Sequence, residues 1–513
     1  MVYCGRPSKG CQPCRSRKTK CDGIVPSCSQ CLKASRECFG YRDEQSMIFR
    51  DETRKVMQKA RGRNFELSGK HSKPTSPESH IATQEPSHST PETSLMTLAF
   101  LTPSHFVEDD AASFFFYHYV LKEPAFANGL YDFLPTLYSQ GSSAVFQDIV
   151  TATGLAGLAN LKRSSTLMHA ARAKHSTALR SVNASLQNPE TATSDSTLMA
   201  VLLLGLFENI TCSSPSSIQA WAKHVSGALA IARLRGRQQL ENDLGRRLFL
   251  HLRNQVLIDC IQRQEAVPDI INEWNASSIR SGHFEEADGA GFVEPRLFQI
   301  MAQLAALRYK VKVKGHSHET TAEAVSIDND LITWAATVPP DYAYTTVSHN
   351  SSDFPFPSYH EYKFIWSATC WNIYRTARIF VAAKIIHWYS SSNSTTASQQ
   401  ILSGYLQNEA VLADEICASV PYYFGGNPDS VYSLPTPPKA ASGFALLWPL
   451  YAAATTFHKS KFRTGWIVKQ YDVIGDVLGI RIASVFASTL RKNQHISVWD
   501  RDPSDRIEDE EAW

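Results

Sequence analysis

Apolar residues recur along most of this chain at the spacing of one helix face. From Thr166 to Leu186 the positions Met168, Ala171, Leu179, Val182 and Leu186 fall three or four apart once His175 is counted in the stripe, a repeat that turns these side chains toward one neighbour. A second face runs through Ile218, Trp221, Val225, Ala228 and Ala232 and closes with Arg233, Arg235 and Gly236, a basic last turn followed by a glycine stop. The same periodicity predicts helices around 242–263, 292–312, 362–389, 399–419 and 466–490, whereas alternating strand patterns are few and short. Residues from about 97 onward therefore read as one large all-helical domain, or two closely packed ones, with no internal repeat. The longest apolar run, Leu198 to Phe207, is half the ~20 residues a membrane span requires and ends at Glu208. It reads as a buried helix, and no membrane partner is expected.

Before residue 96 the periodicity disappears. From Ser68 to Ser94, 15 of 27 residues are Ser, Thr or Pro, and only Ile81 and Ala82 are apolar enough to bury. Such a stretch cannot offset the entropy of ordering itself and reads as a disordered linker. With 513 residues, 43% of them hydrophobic, the chain has room for about two to four domains. Its 51 Lys+Arg against 49 Asp+Glu would argue against a nucleic-acid partner if charge were evenly spread. It is not: residues 1–63 hold 15 Lys+Arg and 6 Asp+Glu, a net of +9, leaving 36 against 43, a net of −7, for the remainder. A basic head precedes an acidic body.

Cysteine is skewed the same way. Seven of eleven lie in the first 38 residues, while Cys212, Cys260, Cys370 and Cys417 stand singly in apolar stretches and read as buried thiols. Met1 to Cys11 is polar and lacks an export segment, so the cysteines are expected to stay reduced. Six of them are spaced Cys11-x2-Cys14-x6-Cys21, then x6, then Cys28-x2-Cys31-x6-Cys38, each of the first three reappearing 17 residues later. Identical spacing implies two matching arms about a pseudo-twofold axis. One tetrahedral zinc needs four thiolates and would strand two of the six; two zincs need eight positions, which six thiolates supply if two of them bridge. A binuclear cluster is the expected arrangement, with two Zn2+ per chain. Disulfides would require an oxidising compartment for which nothing in the sequence speaks. Cys4, outside the repeat, reads as a bystander thiol. A unit this small has almost no apolar core, so metal binding supplies its folding energy. Between Cys14 and Cys21 stand Arg15, Arg17, Lys18 and Lys20, four cations in six positions, against Lys33, Arg36 and Glu37 in the second arm. The first arm is thus the one expected to meet an anion, above all a nucleic-acid backbone with one or two side chains reaching base edges.

The string Cys11-Gln12-Pro13-Cys14-Arg15-Ser16-Arg17-Lys18-Thr19-Lys20-Cys21-Asp22, followed by Pro26 and Cys28-Ser29-Gln30-Cys31, closely resembles the fungal binuclear zinc-cluster (Zn2Cys6) transcription factors. The resemblance implies that Cys11 and Cys28 bridge the two zincs, that Lys18 reads a CGG-like triplet in the major groove, and that Pro26 shapes the loop joining the arms. The helical region, through Phe106–Tyr119, Ala171–Leu179, Leu202–Glu208 and Trp221–Gly236, resembles the regulatory domain of one branch of that family. The implied fold is a small zinc-cluster domain of two short helices plus a large all-α regulatory domain: 1–45 for DNA, 46–96 a basic segment and linker, 97–513 for regulation. Double-stranded DNA with CGG-like half-sites is the expected partner, in the nucleus. Family members often dimerise through a coiled coil, but Phe39 to Phe65 has no sustained apolar heptad, so a homodimer stays open. So does a coactivator or corepressor for the acidic tail, Asp500–Glu511.

The remaining signals read structurally. His175 is expected to be a core histidine, His316-Ser317-His318-Glu319 a surface loop, and His360-Glu361 lacks the second histidine of a zinc-protease helix. There is no phosphate-binding glycine loop, Gly-x-Ser-x-Gly elbow or kinase signature, and no enzyme is expected. The competing reading is a zinc-containing protein-interaction or scaffold protein.

Overall fold

The computed structural model describes residues 11–17, 19–22, 24, 27–36 and 38, then 104–494 apart from 122–130, 140–142, 215, 281–292, 350–353, 392–394, 427–437 and 458. Expectations placed on Cys4, Lys18, Pro26, the 46–96 segment and the acidic tail lie outside the described residues. The chain divides into two compact units, Met1–Pro91 and Glu92–Trp513.

In the first unit, helix α1 (Gln12–Ser16) and helix α2 (Ser29–Lys33) start and stop 17 residues apart, and they pack on each other. Their exits match as well. Thr19 N–H donates to the Cys14 carbonyl at 2.9 Å, and Arg36 N–H donates to the Cys31 carbonyl at 2.9 Å. The sequence repeat is therefore a repeat of backbone hydrogen bonds.

The second unit is helical, with one small hairpin among its described residues. Helices α3 (Ser104–Tyr119), α4 (Leu134–Ser139), α5 (Ala144–Leu161), α6 (Ser165–Gln187), α7 (Pro189–Ala192), α8 (Asp195–Thr211) and α9 (Ser216–Arg235) form its first half. Then come α10 (Asp243–Arg263), α11 (Asp269–Arg280), α12 (Val293–Lys314) and α13 (His318–Thr337). The antiparallel hairpin pairs β1 (Tyr344–Ser348) with β2 (Ser358–Tyr362), Tyr344 facing Tyr362 and Val347 facing Tyr359. Helices α14 (Ile365–Ser391), α15 (Thr396–Tyr423), α16 (Ala440–Ala454), α17 (Lys461–Asp476) and α18 (Arg481–Arg491) complete it. Sequential helices pack as neighbours, while α16 returns to α3 and α18 to α8, so the last helices close onto the first layer.

Polar side chains start many of these helices. Ser164, Asn188, Ser194, Asn242, Ser317, Thr395 and Ser460 each accept a hydrogen bond from a first-turn N–H, satisfying donors that helix geometry leaves without a partner. The Ser317 cap corrects the surface loop expected at 316–319. Ser317 and Thr320 form a reciprocal capping box that starts α13, and the His316 ring lies 4.0 Å from that of His387 on α14.

The apolar stripes meet the core as their spacing requires, with two differences. Ile218, Trp221, Val225, Ala228 and Ala232 are all buried, as are Ala171 and Val182, but Leu186, in the last turn of α6, is 41% exposed. The continuous helix expected over 466–490 is two helices. Gly479 breaks it at φ +74°, a backbone conformation L side chains rarely adopt. Its carbonyl accepts from buried Asn160 at 2.8 Å, whose amide also donates to the Ile210 carbonyl at 2.8 Å. One asparagine thus joins α5, the end of α8 and the α17–α18 turn. Helix α5 is long and apolar enough to cross a membrane by length and composition, and 72% of it is buried within the protein, against α3, α6 and α8. The apolar run Leu198–Phe207 is buried in α8, and Cys212, Cys260, Cys370 and Cys417 are buried free thiols.

Buried cations are paired, as removal from water demands. Arg253 donates to Asn275 and Glu294, Arg375 to Tyr362 and Glu415, and Arg463 to Asp414 and Thr456. The crossing of α5 with α3 relies on a missing side chain: a Cβ at Gly154 would lie 1.9 Å from the Ala111 carbonyl oxygen of α3. Gly154→Ala must push α3 off α5, an overpacking that costs about 1–3 kcal/mol. The expected outcome is a lower denaturation midpoint in urea with an unchanged slope; an unchanged midpoint would show that the crossing is looser than described.

Candidate metal centre and nucleic-acid interface

Two short helices and the loops leaving them bring six thiols into one place. Cys11 stands before α1, which carries Cys14; Cys28 stands before α2, which carries Cys31; Cys21 and Cys38 return on the loops that follow. Cys28 caps α2, its Sγ accepting from the Cys31 N–H at 3.3 Å. A ligand thus does the work usually given to Ser or Asp. Asp22 ties the arms together, both carboxylate oxygens accepting from the Ser29 N–H at 3.2 Å. The Ser29 hydrogen bonds, their side-chain contribution the larger, hold the Asp22 carboxyl below its ordinary value. Sequence reasoning had Asp22 only as part of a string; its role depends on the N–H of a residue in the other arm, which spacing does not reveal.

The sulfurs form two overlapping quartets. Cys11, Cys14, Cys21 and Cys28 are one, Cys11, Cys28, Cys31 and Cys38 the other, and within each all sulfurs lie within 4.8 Å of one another. Cys11 and Cys28 belong to both. Sulfur separations of 3.6 Å for Cys11–Cys28, Cys11–Cys31 and Cys14–Cys28 are near the edge of about 3.8 Å that a tetrahedron with ~2.3 Å metal–sulfur bonds requires. All six are free thiols, the inner four buried and Cys21 and Cys38 partly so. Donor type, separation and burial fit zinc. Among the described residues no other group of His, Cys, Asp or Glu gathers in this way.

Without a cation these thiols resist ionisation. Burial, the largest cause, pushes Cys28 up to about 12 and Cys11 well above the ordinary thiol value. A bound Zn2+ supplies the positive charge that holds them as thiolates, and binding therefore releases protons.

The two arms differ in what they show to solvent. Arg17, Thr19 and Lys20 are exposed on the first; Arg15 lies on α1, its side chain outside the described residues, as is Lys18. The second arm exposes Lys33 and Arg36 with Leu32 at 65%. The histidines weighed in the helical unit are not brought to a metal site. His175 stacks on Phe207, ring centroids 4.1 Å apart and 11° from parallel, and burial lowers it to about 4. His360 lies on β2, its Nδ1 3.3 Å from both Tyr362 OH and an Arg375 nitrogen.

A thiol cluster flanked by cations, in a chain whose other unit is a large helical body, defines the class of zinc-cluster transcription regulators. The chain belongs to the fungal specific transcription factor family, whose domain matches residues 124–468, and residues 9–47 match the fungal Zn(2)-Cys(6) binuclear cluster domain. Both are transcription factor domains rather than enzymes. An uncharacterized protein of Emericella nidulans is 31% identical over 139 residues, 27% of this chain and 29% of that one. The transcription activator AMTR1 of Alternaria alternata is 46% identical over 55 residues, 9% of this chain and 7% of its own. The transcription regulator galc of Aspergillus niger is 50% identical over 34 residues, 7% and 4% respectively. The chain thus matches less than a third of the length of each of these relatives. No solved structure matches.

Because zinc holds a unit without a hydrophobic core, chelation is expected to unfold residues 11–38 and leave the melting of the helical unit in place. Acid should do the same, since protons compete for the thiolates: zinc is retained at neutral pH and lost as pH falls. Amide exchange with and without chelator checks this; protection of 11–38 that survives complete zinc removal would contradict it.

Proposed function

We propose that this protein is a nuclear, sequence-specific DNA-binding transcription factor of RNA polymerase II genes, holding two Zn2+ per chain on Cys11, Cys14, Cys21, Cys28, Cys31 and Cys38. The supporting observation is the pair of thiol quartets that share Cys11 and Cys28. Six thiolates carry −6 and two Zn2+ carry +4, so the cluster itself is anionic. It reaches a phosphate backbone only through the cations placed on its surface. Arg15, Arg17 and Lys20 meet phosphates, and Lys18 reads the guanines of a CGG-like triplet. In this reading residues 1–45 bind DNA, 46–96 tether, and 97–513 regulate, with a homodimer and a coactivator or corepressor as candidate partners.

One observation favours a second reading, in which the cluster binds protein. Leu32 is 65% and Ile24 54% exposed on the same small unit, apolar surface for which phosphates have no use.

Metal counting tests the ligand assignment. Cys21→Ala or Cys38→Ala should leave one zinc per chain, and Cys11→Ala or Cys28→Ala none; one zinc in the unsubstituted protein would overturn the binuclear assignment. DNA titration separates the two readings. Lys18→Ala should keep both zincs and lose about 10- to 100-fold in preference for CGG-containing DNA, while the logarithm of affinity falls with the logarithm of salt by about 0.9 per phosphate contacted. Unchanged preference would transfer the assignment to protein recognition.

A further inference from the structure

The helical unit contains a cavity of about 240 Å³. It lies where α3, α8, α9, α10, α12, α14, α16 and α18 converge, walled by aromatic side chains including Tyr131, Trp221, Phe298, Trp366, Phe444 and Trp448. None of the described residues lining it is Asp, Glu, Lys or Arg. Three of its polar groups form a chain: Trp221 Nε1–H donates to Gln255 Oε1 at 2.8 Å, and the Gln255 amide nitrogen lies 3.1 Å from His251 Nε2.

That chain fixes a tautomer. With Gln255 Oε1 accepting from the indole, its NH2 donates to His251, so Nε2 accepts and Nδ1 carries the proton. Nδ1 has no hydrogen-bond partner among the described residues. Burial lowers His251 to about 4, so the ring is neutral at physiological pH. The ring packs on Tyr131 at 4.5 Å, which holds it in place. The side-chain amide of Asn209, also on the wall, is likewise without a partner among the described residues.

We propose that this cavity is a binding site for an uncharged, largely apolar small molecule carrying one hydrogen-bond acceptor, received by the Nδ1–H of His251. Ligand sites are mostly apolar concavities with a few converging polar groups, and a charged ligand entering here would lose its hydration with no counter-charge to meet it. Size narrows the class. A dry cavity of roughly 150 Å³ takes benzene, so this one takes about ten non-hydrogen atoms, the scale of a bicyclic aromatic or a short isoprenoid. The site lies wholly within the helical unit and stands independently of what the zinc cluster recognises.

The full-length chain can be titrated with naphthalene, 2-naphthol and 2-naphthoate, read by tryptophan fluorescence and thermal stabilisation. Three of the wall residues, Trp221, Trp366 and Trp448, report directly. Saturable stabilisation by 2-naphthol is expected, about fivefold tighter than by naphthalene through one added hydrogen bond, with 2-naphthoate at least tenfold weaker. Ala445→Phe, which fills the cavity from α16, should weaken 2-naphthol at least tenfold. His251→Leu should bind both neutral probes equally, and it decides the matter if Ala445→Phe fails to fold. Absence of saturable binding, as when a segment of the chain itself occupies the space, would overturn the proposal. So would equal affinity for the naphthoate, or a 2-naphthol preference that survives in His251→Leu.

Discussion

Cys11 and Cys28 each stand in both sulfur quartets, and that double membership is the constraint on which the first unit depends. The two five-residue helices there are far too short to persist alone. Among the described residues around them the buried cluster is sulfur alone. In the proposed binuclear arrangement, two arms that share ligands cannot separate without breaking both metal sites, and the shared pair then acts as the hinge pin that a hydrophobic core would otherwise supply. Asp22 adds a polar tie between the same arms, but its exposure to water makes it an adjunct.

Charge then decides what such a unit can do. A cluster of six thiolates and two zincs is an anion, and the acidic body of the chain adds more negative charge. The exposed Arg17 and Lys20 therefore do more than keep the head soluble: they place positive charge on the surface of the first arm. The helical unit handles charge differently. Its deepest cations, Arg253, Arg375 and Arg463, are paired across helices and serve as internal links. In the same unit the described residues lining the apolar cavity include no charged side chain, and Arg253, which stacks on the wall residue Phe298, is neutralised behind it by Glu294.

What could be read from the sequence follows from how local each feature is. The 17-residue repeat needs only spacing, and spacing also predicts the apolar faces of α6 and α9, because a helix carries its own period. Features that depend on a distant partner were not legible. Asn160 gains its role from carbonyls at Ile210 and Gly479, and the break between α17 and α18 follows from the close approach of Gly479 to α5. The His316–Glu319 stretch looked like a polar loop because its cap, Ser317 with Thr320, is itself polar. The cavity is assembled from eight helices, and no stretch of sequence contains it.

Zinc-edge X-ray absorption on the purified full chain tests the shared-thiolate account most directly. Two tetrahedra sharing the 3.6 Å Cys11–Cys28 edge, with ~2.3 Å zinc–sulfur bonds, place the metals about 3 Å apart. The account predicts a first shell of sulfur alone and a zinc–zinc scattering contribution near that distance. A spectrum with nitrogen or oxygen in the first shell, or with no zinc–zinc contribution, would contradict it.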